Sequence, residues 1–343
     1  ACIPPIRYCF RSFDRQWIIP DGRLINQSNP TLWENYSDSQ VFLTALNRSS
    51  PSNGPALTFA GAVCDLDHYK GSFGGRVFPL WADAKAAEPN IKPMFVSAVQ
   101  EATGEKVTGP DVMAYLAAVA AHPAYTASFK DDLVQPGLRI PITSDGELFR
   151  EAVAIGEEVI WLHTFGDRFT DPSKGRPASL PRLPKGQGPT IPKDGAIPTD
   201  PDLMPNEISH DPAKQRLHVG DGFIDNVPAA VWEYEVSGKQ VLLHWFSYRK
   251  KDRTRTTIGE RRPPSSLESI HSDQWLAEYT SELLNVLHIL GRLVTLEPRQ
   301  ADLLQHICDG PIITVDALQA SGAFDTKGSG KGGKADDRQD ALL

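Results

Sequence analysis

A run of cations late in the chain has the clearest potential for chemistry. It closes the stretch WEYEVSGKQVLLHWFSYRKKDRTRT, residues 232–256, and Asp252 is the one acidic residue within the run. The stretch begins with alternating apolar and polar residues, which predicts a strand that leads directly into the cations. Such side chains can pair with phosphate oxygens, and arginine can also bind guanine through two hydrogen bonds. The cations are Arg249, Lys250, Lys251, Arg253 and Arg255.

This local positive charge contrasts with the acidity of the whole chain. The 343 residues carry a formal net charge of -8, although Arg261 and Arg262 extend the cationic stretch. Binding to a polyanion requires cations at the contact and not a basic total. An acidic remainder would limit non-specific wrapping and leave one face for a duplex. The alternative interpretation is a solvated basic loop without a binding role.

Two further groups of cations lie in the first quarter of the chain. The segment IRYCFRSFDRQWIIPDGRLI holds four arginines, and Asp14 can orient one of them, so both a structural salt bridge and a nucleic-acid contact remain open. Lys70 and Arg76 flank GSFGG, where a glycine-rich backbone could approach a phosphate closely. We expect these groups to share a face with the cations at 249–255. The four arginines are Arg7, Arg11, Arg15 and Arg23.

The elements that must position these residues predict an α+β fold, because strands and helices are mixed without regular βαβ alternation. QWIIP, QVFLTAL and LTFAGAVCDL are predicted strands, and RLHVGDGFIDN predicts two strands joined by a tight turn. Trp232, Tyr234, Trp245 and Phe246 are expected in strands and in the core. Apolar spacing predicts helices from Pro110 with a break at Pro123, from Ser144 or Asp145 to about His163, and over 273–296.

The chain is expected to form one domain over 1–325. A proline-rich linker or loop at about 166–209 divides it, since nine prolines fall within 172–205. Residues 326–343 are of low complexity, which predicts a disordered tail. The opening ACIPPIRYCF lacks an initiator Met and is expected to continue a longer polypeptide, with catalytic machinery outside this chain.

Composition and motifs weigh against several classes of function. Hydrophobic residues make up 40% and charged residues 23% of the chain, as in soluble globular proteins, and no run of eighteen apolar residues predicts a membrane span. Four cysteines without a CxxC pair predict reduced thiols in a cytosolic protein. GxGxxG, P-loop, GxSxG and HExxH motifs are missing. SNPTLW departs from the Asn/Asp-Pro-Pro-aromatic motif of amino-methylating enzymes. We therefore predict no catalytic residue or metal site here.

Several blocks together resemble the C-terminal specificity domain of type ISP restriction–modification enzymes, which are large adenine-N6 DNA methyltransferases. The blocks occur in the family's order over residues 7–305, and the most specific are WEYEVSGKQVLLHWFSYRKKDR and LEPRQADLL. Ser12 stands where the opening family motif Y-R-P-F-D-x-R-W often has proline. The other blocks are FRSFDRQWIIPD, VFLTAL, FPLW, AYLAAVAAHPAYTASF, LRIPIT, ELFREAVAIGEEVIWLHTF and LHVGDG.

The resemblance implies a target-recognition domain that reads a short double-stranded DNA sequence. It would direct an adenine-N6 methyltransferase, upstream in the same polypeptide or in a partner subunit, in bacterial restriction–modification or antiphage defence. S-adenosylmethionine would bind that methyltransferase, so no cofactor is expected in this chain. The implied location is the bacterial cytoplasm, at the nucleoid. The main alternative is a protein-docking module of a defence complex. A stand-alone enzyme with a site of non-contiguous residues is a second alternative.

Overall fold

The computed structural model describes residues 3–25, 29–46, 49–71, 75–135, 137–252 and 271–323. The chain divides into two compact units. Unit 1 comprises 1–180, 235–238 and 295–343, and unit 2 comprises 181–234 and 239–294. Helices are mixed with several small antiparallel sheets, which confirms the predicted α+β class and the long C-terminal helix. Within the described ranges, no helix is long and apolar enough to cross a membrane.

Unit 1 contains a two-stranded hairpin and a three-stranded sheet. β1 pairs with β2 in the hairpin, and the sheet has the order β4-β3-β5. The predicted strands in QWIIP, VFLTAL and LTFA are confirmed. All five residues of β3 are buried, and this strand is the central one of the three. The strands are β1 (Ile6–Arg11), β2 (Asp14–Ile18), β3 (Phe42–Leu46), β4 (Leu57–Ala60), β5 (Gly75–Pro79) and β9 (Glu235–Val236).

Two helices of unit 1, α3 and α5, pack along each other and against β4. Thr108 and Asp111 form a capping box at the start of α3, and Asp145 caps α5 through the amides of its first turn. Pro123 separates α3 from α4, as predicted. The helices before residue 180 are α1 (Pro30–Glu34), α2 (Pro93–Thr103), α3 (Gly109–Ala120), α4 (Pro123–Ser128) and α5 (Gly146–His163).

Unit 2 holds a second three-stranded sheet, of order β6-β7-β8, in which a tight turn at Gly220 joins the last two strands as predicted. The long helix runs from Ala277 to Asp309, so its last part belongs to unit 1. The remaining elements are β6 (Ile208–Asp211), β7 (Arg216–Val219), β8 (Gly222–Ile224), α6 (Ala229–Trp232), β10 (Lys239–Gln240), α7 (Val241–Ser247), α8 (Ala277–Asp309) and α9 (Val315–Ala320).

One predicted element type and one predicted helix boundary were wrong. A helix, α7, precedes the cations where a strand was predicted, and Trp232 lies in α6. The buried residues of α7 fall at positions 241, 242, 245 and 246, which is helical spacing, so the alternation in the sequence was misleading. Burial of Trp245 and Phe246 is confirmed. The helix predicted to end at 296 continues past Pro298, because Leu303, Leu304 and Ile307 keep it packed.

Candidate nucleic-acid interface

The hairpin at the start of unit 1 carries arginines on a face that passes from buried to exposed. Cys9 lies opposite Arg15, and Arg7 lies opposite Trp17. Because opposed residues and residues two apart share a face, these four side chains form one row. Cys9 is buried and Arg15 half-buried, whereas Trp17 is 54% exposed. The row therefore leaves the core at the open end of the hairpin, where the Arg7 guanidinium lies 4.2 Å from the centre of the Trp17 ring.

The turn of the hairpin is anchored in the core. Phe13 adopts a positive φ of 61° and packs edge-on against His163, with 4.9 Å between ring centres. The Ser12 hydroxyl lies 3.2 Å from that of Thr58 and within hydrogen-bonding distance of the carbonyl oxygen of His68. A non-glycine residue at positive φ is uncommon and requires surrounding packing to hold it. The turn is thus fixed while the opposite end of the hairpin reaches solvent.

Two buried histidines complete this anchor. Nδ1 of His163 accepts a 3.1 Å hydrogen bond from the amide of Phe59, and Nδ1 of His68 lies 3.1 Å from the Thr44 hydroxyl. Burial lowers the pKa of each to about 3. Both rings are therefore neutral at physiological pH, and they support the hairpin rather than contribute positive charge to a binding surface.

Arg11 is tied into the structure next to this anchor. Its Nη1 donates a 2.7 Å hydrogen bond to Oδ1 of Asp65, and the Arg11 side chain is largely buried. Asp65 also accepts hydrogen bonds from the Tyr8 hydroxyl and the amide of Asp67. The sequence suggested Asp14 as the partner of an arginine here, whereas the salt bridge of Arg11 is with Asp65. The arrangement orients the turn, and the guanidinium of Arg11 is not displayed on the surface.

Arg15 and Arg23 are more exposed than Arg11, since Arg15 is half-buried and Arg23 is exposed. The guanidinium of Arg15 lies 3.8 Å from the centre of the Phe165 ring. Arg15 and Arg7 both lie within electrostatic reach of Asp167. Arg23 extends into solvent and its Nε donates a 2.9 Å hydrogen bond to Oδ1 of Asp21 in the turn that follows the hairpin.

Lys70 and Arg76 lie on either side of residues 72–74, which are outside the described ranges. Lys70 belongs to a turn closed by a 2.6 Å hydrogen bond from the amide of Gly71 to the carbonyl oxygen of Asp67. Arg76 is on β5, opposite Ala45. Both cations are half-buried. Their predicted approach to a phosphate stays a prediction.

In unit 2, the late cationic run starts with a residue that belongs to the core. Arg249 is 4% exposed, and its guanidinium lies 3.8 Å from the centre of the Trp245 ring, while Nη1 donates to the Trp245 carbonyl oxygen at 2.8 Å. The centre of the Tyr279 ring lies 5.6 Å from the same guanidinium. Arg249 thus joins α7 to the start of α8, and in this conformation its guanidinium is not displayed to a ligand.

The next two cations reach solvent from a fixed backbone. The amide of Lys251 donates to the carbonyl oxygen of Pro205 at 2.8 Å, and its Nζ donates to that of Asp202 at 3.1 Å. The amide of Asp252 donates to Oδ1 of Asn206 at 2.9 Å. Lys250 is half-buried and Lys251 exposed. Arg253, Arg255, Arg261 and Arg262 lie outside the described residues, which resume at 271.

A model described as the Type ISP C-terminal specificity domain matches residues 3–285. The chain belongs to the Type ISP C-terminal specificity domain family. The match includes both arginine-bearing segments, the hairpin of unit 1 and the end of α7 in unit 2. It confirms the resemblance drawn from the sequence blocks. No curated protein is significantly similar to the chain.

Solved structures support the fold of this specificity domain. The cryoEM structure of a DrdV–DNA complex has a TM-score of 0.58 and 18% identity, covering 88% of this chain and 28% of that one. A nuclease-deletion mutant of the Type ISP restriction-modification enzyme LlaGI, in complex with a DNA substrate mimic, has a TM-score of 0.53 and 14% identity, covering 88% and 20%. The ATP-dependent Type ISP restriction-modification enzyme LlaBIII, bound to DNA, has a TM-score of 0.58 and 13% identity, covering 90% and 18%. The chain spans less than a third of the length of each.

Sequence reasoning missed one arginine of the specificity domain that the structure places beside the hairpin. Arg168 follows α5, and its guanidinium donates to the carbonyl oxygens of Gln40 and Gly61 at 2.9 and 2.7 Å. It therefore ties the end of α5 to the three-stranded sheet. A single arginine in the segment TFGDRFTDP carries no recognisable signal, because its role depends on carbonyl groups more than a hundred residues away in sequence.

Proposed function

We propose that the chain recognises a short sequence in double-stranded DNA and directs an adenine-N6 methyltransferase to it. The observation that carries the proposal is the family match over residues 3–285. The DNA-bound state of the three solved structures of similar fold supports it. The methyltransferase would lie in the same polypeptide or in a partner subunit, would bind S-adenosylmethionine itself, and would work in the bacterial cytoplasm at the nucleoid.

The cations divide into two roles in this proposal. Lys250 and Lys251 are held near the surface by an anchored backbone and would neutralise phosphates, while Arg253 and Arg255 beyond them would reach base edges. In unit 1, Arg15 and Arg23 would contact the backbone of the duplex. Phosphate contacts fix register without reading sequence, whereas arginine gripping guanine discriminates by about 1–3 kcal/mol. The two groups should therefore respond differently to substitution.

The test is selection of bound duplexes from a randomised pool at two salt concentrations, followed by sequencing. We expect enrichment of one short motif. Arg253→Ala or Arg255→Ala should then relax the base preference at particular positions of that motif. Lys250→Ala should weaken all sequences alike and lower the salt slope by about one unit. The charge-matched control is Lys214→Ala, which removes a lysine paired with Asp211 elsewhere in unit 2. It should change neither the enriched motif nor the salt slope.

Other outcomes of the selection contradict the proposal. Salt-sensitive binding without an enriched motif would indicate a non-specific clamp. Absence of binding at low salt would favour a protein-docking module, the main alternative. Joined to its methyltransferase, the domain should also confine methylation to adenines at the selected motif. Methylation at unrelated sites would show that target choice lies elsewhere.

A further inference from the structure

The open end of the hairpin displays the largest exposed aromatic side chain among the described residues. Trp17 is 54% exposed, and Ile19 and Leu24, which follow it in the chain, are 44% and 68% exposed. Large apolar side chains that reach solvent together often mark a site of interaction. Trp17 lies at the end of a row whose other members are buried or half-buried, so its exposure arises where the hairpin leaves the core.

The charge around Trp17 favours a polyanion as the occupant. Of the four arginines in residues 3–25, Arg11 pairs with Asp65 and Arg23 with Asp21, whereas Arg7 and Arg15 lie in the row that ends at Trp17. Arg7 stacks on the indole, and Arg15 lies in the same row. Stacking uses the flat face of a guanidinium, and its N–H groups point outward in the ring plane. A stacked arginine can therefore donate to a phosphate while the aromatic ring contacts the adjacent sugar or base.

We propose that Trp17, with Arg7 stacked on it, is a DNA-contacting pair of this specificity domain. The indole packs on the sugar and base surface of the duplex, and Arg7 donates to a flanking phosphate. The inference rests on the proposed function and adds an apolar contact to it. Because the turn of the hairpin is anchored by Phe13 and Arg11, the pair is presented from a fixed base.

Four variants of the 343-residue chain test this pair on the duplex selected from the randomised pool. Trp17→Ala should weaken binding about tenfold, as loss of an aromatic stacking contact does, with an unchanged salt slope because no charge is removed. Arg7→Ala should weaken binding and lower the slope by about one unit. Trp17→Phe should keep most of the affinity. Met94→Ala removes a side chain of matched exposure, 53%, on α2 and should bind like the wild type.

Fluorescence supplies a readout that does not depend on the folding of Trp17→Ala. DNA should quench tryptophan emission of the wild type and of Met94→Ala, and the quenching should be much smaller for Trp17→Phe. Wild-type affinity in a folded Trp17→Ala, or equal quenching in Trp17→Phe, overturns the inference while leaving the proposed function intact; in that case the exposed face serves a protein partner. A wild-type chain that binds no duplex at all overturns both.

Discussion

The guanidinium of Arg249 lies 3.8 Å from the centre of the Trp245 ring and donates to the carbonyl oxygen of the same residue. This stacked cation is the first of the cluster that stands out in the sequence, yet it is buried between α7 and α8. The positive charge of Arg249 thus stabilises contacts within unit 2. Lys250 and Lys251 follow it directly and are the first cations of the cluster that reach the surface.

Arg249→Ala is therefore expected to act on stability. It removes a buried cation–π contact and a charge-assisted hydrogen bond, so the free energy of unfolding should fall by about 3 kcal/mol. Urea denaturation followed by tryptophan fluorescence measures the change. Lys250→Ala is the neighbouring control and should stay within about 0.5 kcal/mol of the wild type. Normal stability of Arg249→Ala together with lost DNA binding would contradict a structural role.

Asp65→Asn tests the anchor of the hairpin. The change removes the carboxylate that pairs with the largely buried Arg11, so we expect a loss of about 3 kcal/mol in the free energy of unfolding. The matched control is Asp21→Asn, which breaks the pair with the solvent-exposed Arg23 and should cost less than about 1 kcal/mol. Equal urea midpoints for the two variants would show that the Arg11 pair does not hold the hairpin.

Acid should unfold unit 1 through His68 and His163. Their folded-state pKa of about 3 is below the unfolded value near 6.5, so the unfolded chain binds protons first as the pH falls. Their effect is absent above pH 6.5, and between 6.5 and 3 each histidine lowers stability by about 1.4 kcal/mol per pH unit. Chemical denaturation at several pH values measures the slope.

A variant that lacks His68 distinguishes this linkage from general acid sensitivity. His68→Gln should lower stability at neutral pH but reduce the acid slope by about one proton. His306→Gln replaces an exposed histidine of α8 and should leave the slope unchanged. An identical slope in the wild type and in His68→Gln would exclude His68 as a source of the pH dependence.

Gly156→Ala tests the contact between α5 and α3. A Cβ at Gly156 would overlap the carbonyl oxygen of Ala114, so the helices would have to separate, at a cost of about 3 kcal/mol or more. Gly22→Ala is the control, because a Cβ there meets no atom within 4 Å and the backbone does not need glycine. Thermal unfolding measures the stability of Gly156→Ala and of Gly22→Ala. A Gly156→Ala protein as stable as the control would mean that the helices can shift freely.

Local signals predicted much of the fold. The helix start at Asp145, one of two candidates, and the break at Pro123 were predicted correctly because capping and proline act within a few residues. α7 was missed because VLLHWFS combines β-branched and aromatic residues with helical spacing, and packing decided in favour of the helix.

The candidate site was harder to predict because charge alone does not reveal burial. In the sequence, nothing distinguishes the buried cations Arg11 and Arg249 from Arg15 and Lys251. They differ in the structure since Asp65 and Trp245 hold them inside. Partners distant in sequence, such as Asp65 for Arg11, leave no local pattern that could be read beforehand.

The close approach of Gly156 to Ala114 also limits how relatives of this domain can diverge. A larger residue at position 156 requires compensating shifts in both helices, so single changes there would be eliminated by selection regardless of the DNA sequence recognised. Lys251 and Trp17, by contrast, are exposed. Substitutions at such exposed positions should therefore accumulate more readily, while the helix pair is inherited with little change.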